Sequence, residues 1–312
     1  MDALGTWLAD RGARHDDLVI RTTPAGRGVY ARRPIAAGAV VLRVPRALVV
    51  TLEDVQRSSI GHQLRDLELS SDHTLLAAWL LAEDLDPSSP WRSFLDALPR
   101  DLRGFPLHAS PDDQSLLHGT VAGALLEELR TNLVLDHLAL QGRAPRCGFS
   151  RDAVTWARLT VGSRLYGLTI DDLATSALVP FGDMFNHDPV GAAATWGYDD
   201  DAFTITAVRE LAADAEVCID YGHKGNSRLL VHYGFCLDDN PHDEAELFVP
   251  ARFRVTRDPT HPSAGAMLAW LGAHRFDAAT AVTAAARSAL AALSTAPGGA
   301  PRLARPRADA LT

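Results

Sequence analysis

LVPFGDMFNHD, residues 178–188, is the stretch on which the reading of this chain turns. Four apolar residues lead into Gly182-Asp183, and then Asn186, His187 and Asp188 stand together. Three chemistries fit such a cluster: a helix cap, a metal site, or the wall of a pocket. Asp183 and His187 have the i, i+4 spacing of one helical face and can each ligate a divalent ion, with Asp188 adjacent. No third ligand stands nearby at a matching spacing, so no metal is expected here. The rest of the chain has to choose between cap and pocket.

The composition is that of a globular protein with a substantial core: 312 residues, 47% hydrophobic. No apolar run approaches the roughly 20 residues that span a bilayer, and the opening MDALGTWLADRGARHDD is too charged for a secretory signal. A cytoplasmic protein with no membrane partner is expected. A formal charge of -9 disfavours nucleic acid as a partner and suits a cationic one. Cys147, Cys218 and Cys236 form no CxxC pair and supply neither a zinc site nor a disulfide framework.

Residues 17–50 alternate short β-rich runs with Gly and Pro, as in a small antiparallel unit, and Gly26 and Gly28 flank Arg27 in AGRGVYA. From Thr51 the spacing becomes helical. TLEDVQ reads as a cap with an acidic first turn, and HTLLAAWLLAEDL places Leu75, Trp79 and Leu80 on one face. Ser110-Pro111-Asp112-Asp113 is expected to open one long helix that ends before Gly142, and Ser150 a further helix. β character then returns. AAATWGYDDDAFTITAV reads as two strands around an acidic turn at Asp199–Asp201, and EVCIDYG as a short strand. NSRLLVHYGF reads as a helix with Leu229, Leu230 and Tyr233 inward, followed by a strand-like ELFVP, a turn-rich stretch and Ala-rich helices near 264–274 and 277–294. Residues 295–312 are expected to be a disordered tail. Neither β-rich part alone is large enough to bury both faces of a sheet, which favours one β unit split by a helical insertion.

Within this layout Cys218, Asp220 and His223 invite a nucleophile reading, but a small core thiol is the stronger one. Tyr221, Tyr233, Arg164 and Asn186-His187 together have the chemistry of a closed pocket with a few polar anchors.

AGRGVYARRPIAAGAVVLRVPRALVVT, LVPFGDMFNHD and EVCIDYGHKGNSRLLVHYGFCLDDNPHD, in this order, resemble the SET-domain protein methyltransferases. The branch is that of the RuBisCO large-subunit lysine methyltransferase and the actin-histidine methyltransferase. The resemblance covers about residues 20–245, and WRSFLDALP and WARLTVGSR are similar to parts of that branch's helical insertion. It implies an α+β fold: a split β-rich SET domain over 17–243, in segments 17–50 and 166–243, with the helical insertion at 51–165 and a short C-terminal helical region at 244–294.

The resemblance also implies a cofactor, S-adenosyl-L-methionine, and a protein substrate. It assigns Gly26, Arg27, Gly28 and Val29 to backbone contact with the cofactor and Arg164 to its carboxylate, for which a guanidinium fork is suited. Asn186 and His187 match the family's cofactor-contacting pair, Tyr233 a second aromatic of the pocket, and Asp183 becomes their orienting partner. Tyr221 matches the channel tyrosine and is the expected catalytic and substrate-contacting residue. The histidine-methylating members carry Arg-Gln-Asn where this chain has Arg164-Leu165-Tyr166. An aromatic there resembles the lysine-methylating members, so Tyr166 is expected at the substrate and lysine is the expected acceptor. Histidine is the alternative acceptor, and a catalytically inactive binding module is the alternative from another class.

Overall fold

The structure is a computed structural model of the chain, and it describes residues 3–24, 26–144, 147–248 and 252–256. The expected Ala-rich helices and the tail from 295 lie outside the described residues. In chain order, α1 (Ala3–Ala9) leads into β1 (Leu18–Thr23), β2 (Gly26–Ala31), β3 (Val40–Pro45) and β4 (Val50–Thr51). A helical stretch follows: α2 (Leu52–Arg57), α3 (Ser59–Gln63), α4 (Asp72–Leu85), α5 (Arg92–Ala97), α6 (Pro111–Ser115), α7 (Val121–Arg143) and α8 (Arg151–Gly162). Then come β5 (Tyr166–Ile170), β6 (Leu173–Leu178), β7 (Ala194–Asp199), β8 (Ala202–Ala207), α9 (Asn226–Tyr233), β9 (Glu244–Phe248) and β10 (Arg252–Thr256). The fold class is α+β.

The described residues fall into two compact units. One holds those up to 102 together with 130–221, the other 103–129 and those from 222 onward.

In the first unit the early and late strands pair with each other. β3 lies beside β8 with Val44 opposite Phe203, in a sheet ordered β3-β8-β7, and β4 lies beside β6 with Val50 opposite Leu178, in a sheet ordered β4-β6-β5. β1 and β2 form a separate hairpin from Leu18 opposite Ala31 to Thr23 opposite Gly26. Alternation decides which side chains enter the core: Phe203, Ile205 and Ala207 of β8 are buried together with Leu42 and Val44 of β3. Truncating a side chain such as Phe203 to alanine would cost about 3 to 5 kcal/mol.

The turns between strands come from paired aspartates. Asp200 and Asp201 join β7 to β8, and Asp171 and Asp172 join β5 to β6, all four with positive φ. Asp tolerates that region because its short side chain bonds locally. The second pair marks a hairpin that was not expected, although the β-rich segment was expected to resume at 166, where β5 begins; the helix before it stops at Gly162.

Helix starts follow their capping residues. Thr51 and Asp54 form a reciprocal capping box on α2, and the Ser150 hydroxyl accepts the Ala153 N–H at the start of α8. The helix expected from Ser110 is instead two. α6 ends at Ser115, Gly119 takes a φ of +76°, and the Thr120 hydroxyl accepts from Gly123 N to start α7, which runs through Gly142 rather than ending before it. α4 is buried over most of its circumference from Leu76 to Leu81, while Leu75 is only half-buried, so it is a central helix and not a one-faced one.

EVCIDYG forms no ladder. It makes isolated bridges in different directions, Glu216 with Tyr30 and Ile219 with His187 and Ala194, so it stitches segments together instead of extending a sheet.

In the second unit, α9 ends at Gly234 in the left-handed region and buries Leu229 and Val231, not Leu230 and Tyr233. β9 pairs with β10, a strand in the stretch expected to be turn-rich.

Candidate active site

All but one of the expected site residues lie in the first unit, on five segments: β2, the second residue beyond α8, β5, the turn at 181–188, and the extended stretch 215–221. The turn is strained. Phe181 takes a φ of 71°, the one non-Asp, non-Gly residue with positive φ among those described, and is buried against His15 with ring centroids 4.9 Å apart. A buried aromatic in that region costs of order 1 to 3 kcal/mol, and the 3-10 turn Gly182–Met184 that it introduces aims Asp183 and Asn186 at the same neighbourhood.

Asn186 is held by two acceptors. Its Nδ2 donates to the Arg27 carbonyl at 2.9 Å and to Glu216 Oε1 at 2.7 Å. Both amide hydrogens are thereby committed, and the remaining polar atom is Oδ1, an acceptor. Gly28 sits against the same pair: a Cβ there would run into Glu216 Oε1 and come within 2.9 Å of Asn186 Nδ2. The need for glycine at 28 is one of space, since its φ lies outside the left-handed region, whereas Gly26 has a φ of +120°.

Arg164 donates through Nη1 to the Asp183 carbonyl at 2.7 Å and to Asp183 Oδ2 at 3.0 Å. The Asp183 side chain has no exposure and that of Arg164 little. Burial pushes the Asp183 carboxyl above its ordinary value, against the pull of Arg164 and Arg27. Arg164 is thus paired directly with this carboxylate, while the Arg27 guanidinium acts on it electrostatically and donates to the Ala97 carbonyl at 2.7 Å. Arg164 Nε and Asp183 Oδ1 are buried without a hydrogen-bond partner. A buried guanidinium with an unused donor fits an anion such as a ligand carboxylate.

His187 Nδ1 accepts the backbone N–H of Tyr221 at 3.0 Å, and the two rings stack with centroids 4.9 Å apart. A backbone N–H can only donate, so Nδ1 carries no proton and the ring is the neutral Nε2–H form. The 3.7 Å approach of Asp220 to the same Nδ1 is accordingly no ion pair. The Tyr221 hydroxyl donates to the Phe185 carbonyl at 2.5 Å, which leaves its lone pairs to accept.

Asp183 and His187, the pair with metal-like spacing, thus have their oxygen and nitrogen turned to Arg164 and Tyr221. The described residues contain no cluster of three or more potential ligands.

Two expected residues are placed differently from the rest. Tyr166 is buried in the core, packed edge-on to Trp196 and Phe203, and donates its hydroxyl to the Gly182 carbonyl at 2.6 Å. Burial pushes that hydroxyl well above its usual pKa, so it remains a fixed donor supporting the turn. Its contacts are with core residues, not with an open channel. Tyr233 is the one expected site residue in the second unit, on α9, with Lys224 over its ring. Cys218 is no nucleophile: burial, then Glu216 and Asp188, push its thiol up to about 12. Glu216 was not anticipated. The only signal in the sequence is a charged residue opening the apolar run Val217-Cys218-Ile219 that leads to Asp220 and Tyr221.

No helix among the described residues is long and apolar enough to cross a membrane. Residues 26–222 match the family model of the SET domain. Actin-histidine N-methyltransferases from Dasypus novemcinctus and Homo sapiens are 28% and 27% identical over 264 residues, which cover 77% of this chain and 43% of theirs. The chain thus spans less than half the length of these relatives. Among solved structures, the SET domain of LSMT bound to lysine and AdoHcy superposes with a TM-score of 0.72 at 19% identity, over 83% of this chain and 67% of that one. Rubisco LSMT bound to AdoMet gives 0.70 at 20% identity, over 83% and 67%. With the site segments β2, 181–188 and 215–221 all inside the matched span, the chain belongs to the SET-domain family.

Proposed function

We propose that this chain is an S-adenosylmethionine-dependent protein methyltransferase and that the acceptor is a histidine side chain. The observation that carries the acceptor is the relationship to actin-histidine N-methyltransferases, which replaces the expectation of lysine. That expectation stood on Tyr166, whose hydroxyl and ring are engaged by Gly182, Trp196 and Phe203.

The site supports methyl transfer on chemical grounds. S-adenosylmethionine, when bound, supplies an electrophilic methyl carbon on a sulfonium, open to in-line displacement. Arg164 offers a cation for its carboxylate, and Asn186 and the backbone of Gly26–Val29 offer polar groups for the remainder. Tyr221, fixed by the Phe185 carbonyl, presents lone pairs that orient an acceptor N–H and take weak C–H···O contacts from a polarised methyl. A histidine acceptor asks little of the site's electrostatics, because imidazole with a reference pKa near 6.5 is largely neutral and nucleophilic at physiological pH. A lysine, near 10.4, needs a desolvating channel to shed its proton.

The test is incubation of the protein with isotopically labelled S-adenosylmethionine and a cell extract, followed by hydrolysis and mass spectrometry. Label in methylhistidine is the expected result. Label in methyl-lysine would restore the lysine acceptor. Cofactor binding by calorimetry with no label in any protein would favour the inactive binding module.

A further inference from the structure

We infer that Glu216 is a positioning residue of the cofactor site, setting the polarity of the Asn186 amide and making one end of the site negative. This rests on the cofactor proposed above.

The Asn186 amide has two possible orientations. In the one present, both N–H bonds meet oxygens, the Arg27 carbonyl and the Glu216 carboxylate. Rotated by half a turn, the amide oxygen would face those same two oxygens, one of them carrying charge. Of these two acceptors the backbone carbonyl is fixed by the strand, and Glu216 is the one that depends on a side chain. Its backbone is located by β2: its residue bridges Tyr30, and the next N–H, Val217, donates to the Val29 carbonyl at 2.8 Å. Gly28 gives it the room it occupies. With Nδ2 turned inward, Asn186 Oδ1 is an acceptor beside a carboxylate, a combination that selects a cation bearing N–H.

The other end of the same neighbourhood has the opposite sign. Arg164 is paired with the buried carboxylate of Asp183, on which Arg27 also acts electrostatically, and Arg164 Nε lacks a hydrogen-bond partner. Arg27 links the two ends, since its carbonyl takes Asn186 and its guanidinium lowers the Asp183 pKa. A negative end and a positive end joined by one residue match the ammonium and carboxylate of a free α-amino acid group. Glu216 is the member that gives the ammonium end its charge.

Calorimetry of the 312-residue chain with two ligands tests this. S-adenosylhomocysteine carries the amino-acid group, and 5′-methylthioadenosine has the same nucleoside and sulfur without it. Glu216→Gln keeps an acceptor for Asn186 but removes the charge, and is expected to weaken S-adenosylhomocysteine binding about tenfold while methylthioadenosine changes by less than about twofold. Glu216→Ala should widen that difference. Parallel loss of both ligands would mean a merely structural role, and no loss of either would leave Glu216 without one; each overturns the inference. If the wild-type protein binds neither ligand, it is the cofactor assignment that fails. Should Glu216→Ala not fold, Glu216→Gln, with its melting temperature alongside, still decides between these outcomes.

Discussion

Nδ1 of His187 accepts the backbone N–H of Tyr221 while the two rings stack 4.9 Å apart, so the residue expected to contact the cofactor is also the one that holds the expected catalytic tyrosine. His187→Phe keeps a ring for the stack and removes the acceptor. Loss of this bond should destabilise the protein by about 1 kcal/mol and slow methyl transfer several-fold, read from chemical denaturation and a labelled-cofactor assay. If neither changes, His187 does not support Tyr221.

Tyr221→Phe isolates the hydroxyl. The side chain is anchored by its backbone and ring as well as by the Phe185 carbonyl, so the variant should fold and bind cofactor with an affinity within about twofold of wild type. Transfer should fall at least about tenfold, the lower part of the range for a positioned polar group in the transition state. Equal turnover would remove the hydroxyl from the mechanism.

Much of the fold is legible where local chemistry decides it: Thr51 and Ser150 begin helices because their hydroxyls accept backbone N–H bonds, and the DDD run turns β7 into β8 because Asp tolerates positive φ. What is not legible depends on distant partners. Nothing near EVCIDYG says that it will bridge Tyr30 on one side and His187 on the other, and a lone alternation reads the same in a ladder as in a stitch. Likewise Tyr166 carries no mark of Phe203 and Trp196, the rings that enclose it. The Asn186-His187 pair stands out in the sequence as a candidate because the two polar types are adjacent. Glu216 does not, since its role exists only through Asn186, thirty residues away.

The helical stretch between β4 and β5 has its own buried polar centre. Asp136, with a fully buried side chain, accepts from Ser70 N and Oγ, Thr74 Oγ1 and Arg158 Nε, joining the start of α4 to α7 and α8. Asp136→Ala would strand the buried Arg158, whose pKa burial already lowers, and should cost about 3 to 5 kcal/mol in chemical denaturation. Replacing both residues by apolar ones of similar size should recover much of that loss. No recovery would mean that the hydrogen bonds, and not the orphaned charge, set the cost.

Asp84, on α4, gives the same helical stretch a pH dependence. The Arg100 guanidinium, at 2.6 Å, holds its carboxyl below the ordinary value, and Arg92 adds to the effect against the opposing influence of burial. A depressed folded-state pKa contributes stability that is present above the unfolded value, near 3.9, and lost as pH falls through the folded one. Asp84→Asn should therefore melt earlier than wild type at neutral pH, by about 1 kcal/mol, and the gap should close as the pH drops below the usual carboxylate range. A gap independent of pH would show that packing, not charge, is responsible.

Gly28 separates steric from conformational demands on glycine. Its φ is one that alanine accepts, yet an added methyl would drive into Glu216 Oε1 and lie 2.9 Å from Asn186 Nδ2. Gly197, on β7, also has an ordinary φ, but a Cβ there meets nothing within 4 Å. The two substitutions carry the same change in unfolded-chain entropy, so that term cancels between them. Gly197→Ala should leave cofactor affinity intact and stability equal or slightly higher. Gly28→Ala displaces the Glu216 side chain and with it the acceptor that fixes Asn186, so S-adenosylhomocysteine affinity should drop about tenfold or more by calorimetry, with methylthioadenosine less affected. Full affinity in Gly28→Ala would mean that Glu216 swings clear at no cost to binding, and that the closeness of β2 to Asn186 has no part in holding the ligand.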